Sequence, residues 1–226
     1  MTAKYIEHIV DTTIITGTEF NDKIKSLYDI NKITNISFAN KIPENVKSNK
    51  YYADVSNSRN GQVVVWINEG SNDIVQLNIG ANLNGNKIIA NSDSSSMFSK
   101  FEYAKTIMFN EIFDMSTITN ASNMFESFAK LTTSKVTISG IVPNDLRNIT
   151  NATAMFAGFS QEFNEHEIPN MKLWNFSNLQ IADNMFNSAL YHSDIWDLEI
   201  SSNWWGNKLV SANNMFENAG YFSSIF

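Results

Sequence analysis

Apolar residues in the second half of this chain recur at a nearly constant interval. Met97-Phe98, Met124-Phe125, Met155-Phe156, Met185-Phe186 and Met215-Phe216 follow one another in steps of 27, 31, 30 and 30 residues. Ala121, Ala152, Ala182 and Ala212 stand three residues before their Met, and Ile118, Ile149, Leu179 and Leu209 three before that Ala. Three residues beyond the Phe come Phe101, Phe128, Phe159, Ala189 and Ala219. Positions i, i+3, i+4 and i+7 share one face of a helix, so the spacing predicts a short helix in each copy. A helix of two turns does not persist alone in water, so neighbouring copies must bury the stripe. These ten Met and Phe residues are therefore expected in the core and not in an adaptable binding groove.

Nine to twelve residues after each Met-Phe comes a compact apolar signal: Ile107-Met108-Phe109, Val136-Thr137-Ile138, Ile168, Ile195-Trp196 and Ile225-Phe226. Each reads as a short strand. Strand and helix alternating about every 30 residues predict an α/β solenoid of the leucine-rich-repeat type with about five units, where roughly 20 to 29 residues per repeat is usual. The longer strand-to-helix segments, Pro169 to Asn178 and Glu199 to Lys208, read as loops on one face.

Upstream the pattern changes. Thr16-Gly17-Thr18-Glu19 matches a capping box, and Phe20, Ile24, Leu27 and Tyr28 follow at helical spacing, predicting a helix over Gly17 to Asp29. Ile33, Ile36 and Phe38 predict a strand that ends by Pro43. Tyr51 to Ser56, Gln62 to Asn68, Ile74 to Ile79 and Lys87 to Ala90 read as antiparallel strands, with a hairpin signal at Asn60-Gly61. They are expected to cap the first repeat, whose apolar face would otherwise meet water. The expected organisation is an arm and α/β cap over 1–50, a β-hairpin cap region over 51–93 and a solenoid over 94–226.

With 226 residues, 43% hydrophobic and 17% charged, the chain is long enough for a sizeable core. Sixteen Lys and Arg against 23 Asp and Glu give a net charge of -7, which argues against nucleic acid as a partner. No apolar run reaches the roughly 18 residues of a membrane span, so no membrane insertion is expected. Lys4, Glu7, His8 and Asp11 interrupt the N-terminus where a signal peptide needs its apolar core, so export by the usual secretory route is not expected. The absence of cysteine removes disulfides, thiolate nucleophiles and Cys-ligated metals. The excess of Asn reads as an AT-rich coding bias.

Candidate chemistry is sparse. His8, His166 and His192 stand singly, Glu165-His166-Glu167 lacks an i, i+4 partner, and no metal is predicted. His192-Ser193-Asp194 holds the residue types of a hydrolase triad, but sequence neighbours cannot adopt its geometry. With nine glycines and no phosphate-cradling loop after a strand, no cofactor is expected. The Asn-x-Ser/Thr matches at Asn35, Asn120, Asn148, Asn151 and Asn175 are what an Asn-rich chain produces by chance.

The tryptophans carry more information. Trp174 and Trp196 sit beside repeat strands, where core packing competes with contact to a ligand. Trp204 and Trp205 lie in a long polar loop, and because adjacent strand side chains face opposite ways, one of the pair is expected outside as a partner contact. Asp197 and Glu199 flank Leu198 and would share one strand face as paired carboxylates, solvated groups in the plainer reading and hydrolase acids in the sharper one.

Phe113-Asp114-Met115-Ser116-Thr117-Ile118-Thr119-Asn120-Ala121-Ser122-Asn123-Met124-Phe125 resembles the repeat unit of the BspA-like leucine-rich-repeat proteins, which include mycoplasma-type repeats. Phe163-Asn164 with Ile168, then Trp174 and Ser177-Asn178-Leu179, resemble a second element of that unit, and Tyr52 to Ser56 before Gln62-Val63-Val64 is similar to the family's cap region. The family's Met three residues before the Met-Phe pair is Ala here in four copies. The resemblance implies non-enzymatic recognition or adhesion, with a bacterial surface protein or glycan as partner. Relatives also occur among bacteriophage tail proteins, which are made in the cytoplasm without a signal peptide. The expectation is a receptor-binding or tail-fibre-type component of a phage tail or tail-like particle; the alternatives are a bacterial cell-surface adhesin and, more remotely, a glycan-acting hydrolase.

The last strand signal, Ile225-Phe226, carries no polar capping element, and an open solenoid end is prone to associate. This end is expected to be covered by another subunit of a particle, a second copy or the chain's own arm. Sedimentation should therefore show a mass above that of one chain, or C-terminal amides protected from exchange. A clean monomer whose C-terminal amides exchange freely rejects the expectation.

Overall fold

A computed structural model describes residues 11–161, 166–167, 173–190 and 206–219. The strands expected at Ile168, Ile195-Trp196 and Ile225-Phe226 lie outside the described residues, as does the uncapped end.

The capping box sets the start of α1 (Gly17–Leu27). The Glu19 amide donates to Thr16 Oγ1 at 3.3 Å and the Thr16 amide to Glu19 Oε2 at 3.2 Å. Its apolar stripe buries Phe20 and Ile24 completely. The strands are β1 (Asn35–Ala39), β2 (Tyr52–Asp54), β3 (Val63–Glu69), β4 (Val75–Ala81), β5 (Ile88–Ile89), β6 (Thr106–Met108), β7 (Phe113–Asp114), β8 (Val136–Ser139) and β9 (His166–Glu167). Seven of them form one sheet in the order β2-β3-β4-β1-β6-β8-β9, while β5 pairs with β7 in parallel, which corrects the antiparallel reading of Lys87 to Ala90.

The antiparallel part, β2-β3-β4, continues directly into a parallel ladder because β1 lies between β4 and β6 and runs parallel to both. Ile36 is thereby flanked by Leu77 and Ile107. The boundaries expected near residues 50 and 93 thus separate neighbours within one sheet and one core. β3 is buried on both faces: Val63, Val65 and Ile67 enter the main core, and Val64 and Trp66 close a smaller one with Val46. The end of the N-terminal arm docks too, with Ile14 fully buried and bridged to Ser56, and Thr13 bridged to Ile89.

In the Met-Phe segments the structure departs from expectation: in place of a helix, each segment is a chain of tight turns. Alternate amides go two ways. Met155 and Phe159 donate back three residues to the carbonyls of Ala152 and Phe156, both at 3.1 Å. Ala152, Ala154, Phe156 and Gly158 donate sideways to Ile181, Asp183, Met185 and Asn187 of the following turn, all at 2.8 Å. An α-helix would bond its amides within itself and leave none for a neighbour. The parallel bridges Asp93–Asn120–Asn151–Ile181–Ser211 mark the same stacking of successive turns.

This backbone needs positive φ just before each Met, at Ser96, Asn123, Ala154, Asn184 and Asn214, and again three residues after it, at Lys100, Ser127, Gly158, Ser188 and Asn218. Asn and Gly tolerate that region best. The asparagines, which the sequence presents as a coding bias, therefore have conformational work at three of the five positions before Met.

Stacking the turns brings like residues into register. The Phe rings form a column, Phe98 on Phe125 at 5.5 Å, Phe125 on Phe156 at 5.3 Å, Phe156 on Phe186 at 5.4 Å and Phe186 on Phe216 at 5.6 Å between centroids. Their Met partners are buried from Met97 to Met215. Removing one such ring costs about 3–5 kcal/mol, several times the net worth of one hydrogen bond, so the column dominates the ladder's stability.

A ladder with one donor edge and one acceptor edge must be closed at its first turn. Helix α1 does this. The carbonyls of Asp93, Ser95, Met97 and Ser99 have no preceding turn to serve. They accept instead from the Gly17 amide at 2.9 Å, Thr18 Oγ1 at 3.4 Å and, for the last two, Asn21 Nδ2 at 3.4 and 3.0 Å. A Cβ on Gly17 would lie 2.4 Å from the Ser94 carbonyl carbon, so glycine permits this approach. Phe20 meets the edge of Phe98 at 5.9 Å and begins the aromatic column.

Asn21→Ala leaves two buried acceptors without a donor and should lower the free energy of unfolding by about 1–3 kcal/mol. Asp22→Ala, at the exposed neighbour on the same helix, should stay within about 0.5 kcal/mol. Urea midpoints measure both, and equal small shifts would remove the capping role from Asn21.

Candidate functional site

Of the residues singled out from sequence, Trp174 is placed clearly, and it is core. It is 1% exposed. Its ring lies 5.9 Å from Phe156 in stacked orientation and meets the edge of Phe176 at 6.2 Å. The side chain extends the aromatic column beside Phe156, so of the two readings of Trp174, packing and ligand contact, it takes the packing position. Trp196, Trp204, Trp205, Asp197 and Glu199 lie outside the described residues, as do His8 and His192. The Met and Phe pairs form the buried spine, Phe216 being half-buried at its far end.

Two kinds of surface remain on the described residues. One is the flank of the ladder, where side chains reach back to the preceding turn. Thr117 Oγ1 donates to the Ala90 carbonyl at 2.6 Å, Asn148 Nδ2 to Ser116 at 2.7 Å and Asn178 Nδ2 to Arg147 at 2.8 Å, and Lys208 Nζ meets Asn178 Oδ1 at 2.6 Å. Each such bond fixes a polar column along the stack, one side chain per turn. Thr119 and Thr150 do the same beside it, donating to the carbonyls of Ser92 and Thr119 at 3.2 and 3.1 Å.

The other surface is a set of clefts. Two, of about 740 and 790 Å³, lie on the cap around Val46 and Val64 and around Glu19 and Tyr52. A third, of about 720 Å³, opens where the chain enters the parallel strands. Its wall crosses four adjacent strands: Val75 starts β4, and Thr34, Lys105 and Ser134 precede β1, β6 and β8. The hairpin tip at Asp73 and the end of α1 at Tyr28 complete it.

Local bonds hold this wall. Thr34 Oγ1 accepts from the Val75 amide at 3.1 Å, and its carbonyl accepts from the Lys105 amide at 2.7 Å. Asn72 and Asp73 adopt positive φ in the turn that carries the tip. Tyr28 donates its hydroxyl to Glu69 Oε1 at 2.8 Å and meets Tyr51 edge-on at 4.8 Å. Burial first, then the bond to Glu69, pushes the Tyr28 phenol up to about 12. It therefore remains a donor throughout the neutral range.

Two features distinguish the third cleft. It displays large apolar side chains at its rim, Tyr103 at 43% and Leu131 at 36% exposure. Thr132, 3% exposed, has no hydrogen-bond partner for its hydroxyl among the described residues. Sequence reading missed this site because its residues run from position 28 to position 134 and share no motif. The nearest signal was the change from period-two strands to the Met-Phe repeat, which marks the seam where the cleft lies.

No protein-family model, curated protein or solved structure matches this chain.

The Tyr28 phenol, raised above its ordinary value near 10, favours the neutral form when folded. Its contribution to stability is complete below about pH 10 and is lost as pH rises through about 12. Urea midpoints of the native chain should therefore fall more between those values than midpoints of Tyr28→Phe. Parallel losses would detach the phenol from the Glu69 bond.

Proposed function

We propose that this protein is a non-enzymatic recognition protein, a leucine-rich-repeat solenoid of the BspA-like kind, carried on the tail of a bacteriophage or a tail-like particle and directed at a protein or glycan of a bacterial surface. The observation that carries this reading is the pre-ordered outer face of the stack. Side chains from successive turns stand in columns, each tied to the turn before it, as Asn148 is to Ser116 and Asn178 to Arg147. Groups already held in place lose little conformational freedom on binding, which suits a surface that recognises without reacting. The spine supports the same reading, since a column of buried Met and Phe leaves the outer positions free to vary. The family resemblance supplies the bacterial context and, through its relatives among bacteriophage tail proteins, the particle.

Fluorescently labelled full-length protein should adsorb saturably to cells of a susceptible bacterium. Protease or periodate treatment of those cells should then separate a protein receptor from a glycan. Antibody labelling should place the chain on particle tails. Detection in the wall fraction of uninfected cells, and not in particles, would transfer the protein to the adhesin alternative, and absence of adsorption to any cell would remove the recognition reading.

A further inference from the structure

We propose that the cleft at the entry to the parallel strands is a saccharide subsite, with the exposed ring of Tyr103 as its stacking platform; this rests on the recognition reading and gives it a place and a ligand class. The chemistry of the wall decides between ligand classes. A purely apolar ligand would strand Lys32, Glu69, Asp73 and Lys105, all of which line the opening. A polyanion would meet Glu69 and Asp73 in a chain of net charge -7. An extended peptide adding as a strand needs an open sheet edge, whereas β4, β1, β6 and β8 are each paired on both sides.

A sugar ring presents what remains: an apolar C–H face to lie on an aromatic ring, and a rim of hydroxyls that both donate and accept. Tyr103 offers such a ring. The carboxylates of Glu69 and Asp73 and the ammonium groups of Lys32 and Lys105 line the same cleft as acceptors and donors, the mixture a polyhydroxyl ligand requires. The 720 Å³ of the cleft lies within the roughly 300–1,000 Å³ typical of small-ligand sites.

The full chain should be titrated calorimetrically with neutral tetrasaccharides of glucose, galactose and N-acetylglucosamine and with a sialylated trisaccharide, and saturation-transfer NMR should read which sugar protons touch aromatic rings. At least one probe is expected to bind. Tyr103→Ala should weaken it about tenfold or more, the scale of one lost aromatic contact, and Asp73→Ala should weaken it as well. Both side chains are exposed, so circular dichroism and melting should stay unchanged. No binding of any probe, or binding indifferent to both substitutions, overturns the proposal. If Tyr103→Ala adsorbs to cells as the native chain does, the subsite falls and the recognition reading stands. If the native chain adsorbs to no cell, the broader reading falls on its own account.

Discussion

The hydrogen bond from each Phe amide to the Met carbonyl of the following turn is the constraint on which the rest of this structure depends. It recurs from Phe98 to Met124, Phe125 to Met155, Phe156 to Met185 and Phe186 to Met215, each time at 2.8 Å. Because it runs between turns, it sets the spacing of the stack, and the spacing in turn sets the aromatic column at 5.3 to 5.6 Å. Rings so closely aligned need the same residue at every level, which is why the Met-Phe pair repeats so faithfully. The backbone must also free half of its amides for the neighbour, and this requires the left-handed residues before and after each Met.

A ladder of this kind is directional, so its two edges have different needs. At the first turn the need is for donors, and α1 supplies them from its first amide, a threonine hydroxyl and one asparagine side chain. The helix is therefore less a separate cap than a substitute for the missing turn. On the strand side the same end is closed differently. There β1 pairs parallel to β6 as a repeat strand would, and on its other side joins the antiparallel β4 through another parallel pairing. Cap and ladder form one hydrogen-bonded unit, and the cleft proposed as a subsite lies on the seam between them, walled by backbone bonded on both sides.

Much of this was written locally. Capping residues and apolar spacing at Thr16, Glu19, Phe20 and Ile24 mark where α1 starts and which face it buries, and packing of that face against the core holds it. The strand runs over β1 to β4 were legible from β-branched and aromatic content, and the burial of Met97 through Met215 from the repeat itself. The turns were not legible as turns. Positions i, i+3, i+4 and i+7 fall together on a helix, and in this chain of turns Ala121, Met124, Phe125 and Phe128 are all buried too, so apolar spacing does not tell the two apart. The distinguishing mark was the Asn, Ser or Gly at eight of the ten positive-φ positions before and after Met, the others being Ala154 and Lys100.

By itself, the sequence determined the period, the identity of the spine and the position of the first helix, because each rests on residues close together in the chain. Tertiary structure alone decided that alternate amides turn outward to a neighbour, that Asn21 closes the first turn, that Trp174 packs inward against Phe156, and that Tyr28, Asp73, Tyr103 and Thr132 share one cleft. Each of these depends on which groups meet across a separation of some 20 to 100 residues, and a hydrogen bond or a ring contact of that range leaves no spacing in the sequence to read.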